Sequence, residues 1–217
     1  SNANKKPASH VRDENSMKHL ERHFSGKRLS DIAPFVIEKY KVQRQEEKAE
    51  PATINRELGC LRHMFNMAIK WGKAQKNPVR EVRFLKEPEE KTRILSPEEE
   101  VKLLQAIRTG HKAGHLEPII ITALNTGMRK GEILRLKWAD VDLGNGYIIV
   151  RGTKTGDVRR VPMNRVLTET LKRVKKTSSC EYVFSDGDQP YGDVKTGWWA
   201  ALTRAGIDNF RFHDLRH

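Results

Sequence analysis

The chain has 217 residues, and 41 basic against 28 acidic side chains give it a formal net charge of +13. At 37% hydrophobic and 32% charged it is too apolar for a disordered polyelectrolyte and long enough for one large core or two small ones. No stretch approaches the roughly 20 uncharged apolar residues of a membrane span, and two cysteines, Cys60 and Cys180, cannot build a disulfide framework. These features exclude a membrane protein, a disulfide-rich secreted scaffold, a collagen-like fibre and a low-complexity tail. They point to a reducing, cytoplasmic setting. The positive excess is shared, +7 in residues 1–91 and +6 in residues 92–217, so neither half is a detachable basic tail. A surplus of this kind suits a polyanionic partner.

Ser1-Asn2-Ala3 reads as a tag-cleavage scar, and residues 1–15 as a flexible N-terminus. Residues 16–45 read as helical, with a break at Ser30–Pro34 and apolar anchors at Phe35, Ile37 and Tyr40. After a polar stretch from Gln45 to Pro51, Thr53 is placed to N-cap a long helix. Its apolar residues Ile54, Leu58, Leu61, Phe65 and Ile69 form one helical stripe, and Gly72 is a natural stop. Arg56, Arg62, Lys70 and Lys73 lie mostly off that stripe and are candidates for phosphate contacts, along with His63.

Residues 85–95 are charged and contain Pro88, which marks a linker between two domains, 16–84 and 96–217. Ser96, Pro97 and Glu99 then spell a capping box. A helix follows over about Pro118–Asn125 and ends at Gly127. Gly146–Arg151 and Val158–Pro162 alternate as a strand pair, joined by a glycine-flanked tip that carries Lys154. Asn164 caps a helix ending in the basic run Lys172–Lys176. Tyr182–Phe184 precedes a turn, and a last helix spans about Val194–Arg204.

Three local groups could carry chemistry. Arg129 sits in a glycine-flanked turn between helices, with Glu132 in the next helix's first turn, where a carboxylate is favoured and could orient the arginine. Lys154 stands at a hairpin tip. His213 and Arg216, three residues apart, project from one helical face as a donor pair suited to phosphodiester oxygens. A rival reading pairs His213 with Asp214 as a metal phosphohydrolase dyad. It needs further ligands, and His10, His19, His23, His63, His111 and His115 form no such set, so no metal or other cofactor is expected.

Taken in order, the stretches ATINRELGCLRHMFNMAIKWG (52–72), NPV (77–79), TGMRKGEILRLKWADVD (126–142), GTKTGDVRRVPM (152–163) and FHDLRH (212–217) resemble the tyrosine recombinases of the phage-integrase family. The resemblance implies an α-helical, SAM-like core-binding domain followed by a mainly helical α+β catalytic domain with a small antiparallel sheet. It implies catalytic roles for Arg129, Lys154, His213 and Arg216, with Glu132 in support. The implied reaction is site-specific cleavage and rejoining of DNA through a 3′-phosphotyrosyl intermediate.

The family's tyrosine nucleophile follows the His-x-x-Arg motif. Tyr40, Tyr147, Tyr182 and Tyr191 all precede it. The expectation is therefore a truncated recombinase that binds double-stranded DNA without cutting it, is monomeric alone, and in full length forms a homotetramer on DNA in a bacterial or phage nucleoid. The alternative is an integrase-like protein that only occupies DNA as a regulator or architectural factor. A third and blander reading is a cationic helical interaction protein.

Overall fold

The computed structural model describes residues 7–88, 93–110, 114–151 and 158–216. The chain divides into two compact units, Ser1–Glu90 and Lys91–His217. Each buries its own hydrophobic core. Among the described residues, no helix is long and apolar enough to cross a membrane.

The first unit is built from α1 (Pro7–Phe24), α2 (Pro34–Glu46) and α3 (Pro51–Lys70), closed by a short 3-10 helix at Pro78–Glu81. α3 buries Ile54, Leu58, Leu61 and Phe65 of the stripe expected from the spacing, but Ile69, its last member, lies 37% exposed in the helix's final turn. It packs against Leu20 and Phe24 of α1 and Ile37 and Tyr40 of α2. Full burial of a side chain the size of Phe65 is worth roughly 2–3 kcal/mol.

A charged network crosses this core. The Tyr40 hydroxyl donates to Glu57 Oε2 at 2.7 Å, and Arg44 donates to both Glu57 oxygens at 3.0 and 2.8 Å. Arg44 also pairs with Glu47. With Glu57 only 1% exposed, the two donors are what make its burial tolerable.

Four other expectations are corrected in this unit. α1 begins at Pro7, so residues 7–15, expected to be flexible, are helical. That turn carries no apolar stripe, and its anchors Leu20 and Phe24 lie further along. α3 starts at Pro51 with Glu50 at the N-cap, not at Thr53, because proline fixes φ for a first helical position. Phe35 is 68% exposed and is no core anchor; its ring lies under Lys39. Leu85, placed in the linker, packs against the first unit's core. The Asn55 amide pairs with both its N–H and its carbonyl, at 2.8 Å each.

In the second unit, α4 (Pro97–Arg108) opens with the expected capping box, Ser96 accepting from the Glu99 N–H and Glu99 from the Ser96 N–H. α5 (Leu116–Thr126) is apolar on nearly every side and runs through the centre, with Leu116, Ile119, Ile120 and Ala123 at most 1% exposed. Around it lie α6 (Lys130–Leu134), α7 (Arg165–Thr177, capped by Asn164) and α8 (Lys195–Ala205). A three-stranded antiparallel sheet has the order β1 (Val141–Asp142), β2 (Tyr147–Val150), β3 (Arg159–Pro162). Its register sets Val150 opposite Arg159 and Ile148 opposite Val161. β1 was not expected from the sequence, being only two residues long. A second, two-stranded hairpin pairs β4 (Ser185–Asp186) with β5 (Gln189–Pro190). A 3-10 helix at Phe212–Arg216 ends the described chain.

Candidate active site

The site grows from the C-terminal end of α5. Gly127 takes the left-handed backbone that ends the helix, φ +59°, where a side chain would be strained. The chain then turns through buried Met128 and presents Arg129 as the N-cap of α6. Arg129 is half exposed. Glu132, in the first turn of α6, reaches back to it. Glu132 Oε2 accepts from the Arg129 N–H at 2.9 Å, and Oε1 from the Arg129 guanidinium at 3.0 Å. The carboxylate thus both caps the short helix and pairs with the arginine side chain.

A third donor set was missed by the sequence reading. Arg159 of β3 grips the same carboxylate, at 2.7 Å to Oε2 and 3.3 Å to Oε1. The signal for it was the strand period. Arg159 lies two residues from buried Val161 and shares its inward face, while Arg160 points the other way, over the Tyr147 ring. A cation on the core side of a strand calls for a carboxylate partner. Burial by itself would raise the Glu132 pKa. The hydrogen bonds from Arg159, the Arg129 N–H and the Arg129 guanidinium outweigh it and hold the group at about 2.

His213 and Arg216 come from the 3-10 helix Phe212–Arg216, which packs on α5. Buried Leu215 and Asp214 hold this helix from beneath. Asp214 accepts from the Arg211 N–H at 2.7 Å and from the Arg211 guanidinium. Burial works against its ionised form, but those bonds win and keep it below the usual carboxylate range. The edge of Phe212 meets Trp198 of α8, ring centres 5.5 Å apart. With residues 214 and 215 turned inward, His213 is exposed and Arg216 half-buried.

The arginine turn and the terminal helix meet at Gly127, where a Cβ would stand 3.9 Å from the Arg216 carbonyl oxygen. Among the described residues Arg216 makes no ion pair or side-chain hydrogen bond. On the flank, Lys130 donates to Asp193 at 2.7 Å, which lowers the Asp193 pKa. A hollow of about 170 Å³ opens there between Lys130, Asp193, Lys195, Trp199, Arg211 and Phe212.

The other candidates fall out as follows. Lys154 lies outside the described residues. Arg56 and Lys70 are exposed and fourteen positions apart on α3, which returns them, with His63 between, to one face. Arg62 is exposed but stands about 120° around the helix from Arg56 at 100° per residue, and its guanidinium covers the Phe84 ring. Lys73 follows the end of α3 and is exposed. Among the described residues, no group of three or more His, Cys, Asp or Glu side chains could hold a metal ion.

Two family models cover nearly the whole chain. Residues 93–217 match the one described as phage integrase family, and residues 4–86 the one described as phage integrase, N-terminal domain. Among curated proteins, the shufflon-specific DNA recombinase of Escherichia coli is 36% identical over 166 residues, covering 76% of this chain and 42% of that protein. The integrase of Salmonella phage P22 is 27% identical over 238 residues, covering 90% and 60% respectively. The chain thus spans about half the length of these relatives.

Among solved structures, a lambda integrase (75-356) dimer bound to a COC' core site aligns with TM-score 0.82 at 23% identity, covering 98% of this chain and 81% of that one. The Tn1549 transposon integrase in complex with circular intermediate DNA aligns with TM-score 0.84 at 23% identity, covering 99% and 80%. These two likenesses establish the fold: a helical N-terminal domain followed by a mainly helical domain with a small antiparallel sheet.

Proposed function

The chain belongs to the phage integrase family of tyrosine recombinases, and from that premise we propose that it is the DNA-handling part of a site-specific recombinase. Its ligand is duplex DNA. Arg129, His213 and Arg216, with Lys154, hold one phosphodiester. The observation that carries this reading is the seating of the Arg216 segment against Gly127, two residues from Arg129, with Arg216 unpaired among the described residues.

Attack by a tyrosine oxygen on phosphorus builds negative charge on the nonbridging oxygens. Two guanidiniums and an imidazole stabilise that charge and keep the phosphate in line. Lys154 donates a proton to the departing 5′ oxygen. The 3′-phosphotyrosyl bond stores the energy for rejoining, so this chemistry calls for neither metal nor nucleotide.

None of the four tyrosines in these 217 residues suits the nucleophile's part. Tyr40 is buried, and desolvation together with its bond to Glu57 pushes its pKa far up. Tyr191 stacks on His115, with its pKa raised chiefly by burial. Tyr147 lies under Arg160, and Tyr182 under Lys137. The 217-residue chain therefore binds DNA without cleaving it. By analogy with neighbours solved as a dimer on a core site and a tetramer on a Holliday junction, the full-length protein works as a tetramer on DNA and this chain is monomeric without it.

A suicide substrate that traps covalent intermediates tests both parts. The 217-residue chain should give no adduct, and one that formed would refute the assignment of its tyrosines. In a polypeptide extended through the family's tyrosine, an adduct should form. There, Arg129→Ala should slow its formation about a hundred- to a thousand-fold, the usual cost of one lost transition-state donor. Near-unchanged kinetics would remove Arg129 from the site.

A further inference from the structure

We propose that Arg159 is a positioning residue whose task is to occupy Glu132, so that Arg129 keeps its positive charge for the phosphate. The proposal rests on the reading of Arg129 given above and goes beyond it, because it has Arg159 act through Glu132.

The argument is one of charge and geometry. One carboxylate, Glu132, stands between two guanidiniums. It is 12% exposed, Arg159 34% and Arg129 50%, so of the two cations Arg129 is the one turned more to solvent. Arg159 supplies two of the four hydrogen bonds that Glu132 accepts. The Arg129 N–H supplies a third, and the Arg129 guanidinium only the last. The trio carries a net charge of +1. Without Arg159, Glu132 would have Arg129 as its one cationic partner, a neutral pair, and turning that guanidinium to a phosphodiester would leave the carboxylate without a counter-charge. With Arg159 in place, the Arg129 guanidinium can give up its bond to Oε1 for a phosphate oxygen while three hydrogen bonds still satisfy the carboxylate.

The fold makes Arg159 dependable in this role. It is ladder-paired opposite Val150, whose side chain is buried. It therefore ties the last pair of the β2–β3 ladder to the arginine turn that carries Arg129.

The test measures binding of the 217-residue chain to a fluorescent 30-bp duplex by anisotropy, across a series of salt concentrations, with thermal melts of every variant. Arg129→Ala should weaken binding, and if it does not, the reading of Arg129 as a phosphate ligand fails along with this proposal. Arg159→Gln should weaken binding by roughly three- to tenfold at low salt, an effect that fades as salt rises. The double variant E132Q/R159Q restores the net charge of +1 and should recover affinity to within about twofold of the parent. Arg159→Lys keeps the charge and should lose little, which covers the case in which Arg159→Gln unfolds.

If Arg129→Ala weakens binding and Arg159→Gln does not, the proposal alone is overturned. It is equally overturned if the double variant binds no better than Arg159→Gln, the pattern expected of a residue that merely braces the sheet.

Discussion

At the residue scale, Glu132 is the pivot of the site, and its acid–base behaviour can be read directly. Its folded pKa of about 2 lies below the ordinary 4.5. The stability it contributes is complete above pH 4.5 and is lost as the pH falls from there toward 2. Glu132→Gln should remove that dependence, and loss of charged hydrogen bonds should cost ~2 kcal/mol near neutrality. Thermal melts of parent and variant between pH 7 and pH 2 should converge in acid. Curves that stay parallel throughout would mean Glu132 is not held by its two arginines.

Residue type alone made part of this legible. Glutamate three positions after arginine, in a first turn, is favoured by the helix dipole and within reach of the arginine, while its bond to the Arg129 N–H shows only in the structure. Arg159 escaped notice because its partner lies 27 positions away and depends on the strand register.

At the scale of elements, the parts with local causes were legible. Ser96-Pro97-Glu99 and Asn164 cap their helices through bonds within one turn. The α3 stripe is a matter of period. Gly127 ends α5 because few other residues adopt its φ. Elements without a local cause were not legible. Residues 7–15 lack an apolar stripe, β1 exists only because β2 lies beside it, and Phe35 looked like core until the packing turned it outward.

Gly127 also offers a test. A Cβ there meets nothing closer than the Arg216 carbonyl oxygen at 3.9 Å, an ordinary contact. Gly127→Ala should therefore cost about 1–2 kcal/mol, all of it backbone strain. It should lower the melting temperature without abolishing folding. A neutral or stabilising result would show that the turn relaxes, which breaks the argument that this glycine fixes where Arg129 emerges.

At the scale of the whole molecule, the positive surplus belongs to both units. Ser1–Glu90 carries 19 basic against 13 acidic residues and Lys91–His217 carries 22 against 15, or +6 and +7. Each unit should therefore bind duplex DNA weakly on its own. The intact chain should show a steeper loss of affinity with salt than either part, since the slope counts the phosphates neutralised. Filter binding against salt measures this. A slope for the intact chain no steeper than that of Lys91–His217 would assign all contacts to one unit.

The three-stranded sheet has a consequence of another kind. β3 lies at its border. Met163 donates to the Gly146 carbonyl across the ladder, so the neighbouring position, Pro162, faces away from β2. A proline there has no outward N–H to offer a stray strand, and the charged Arg159 and Arg160 beside it repel a second copy of themselves. Crowded together, neighbouring copies would thus be kept from zipping, backbone to backbone, into aggregates along this border.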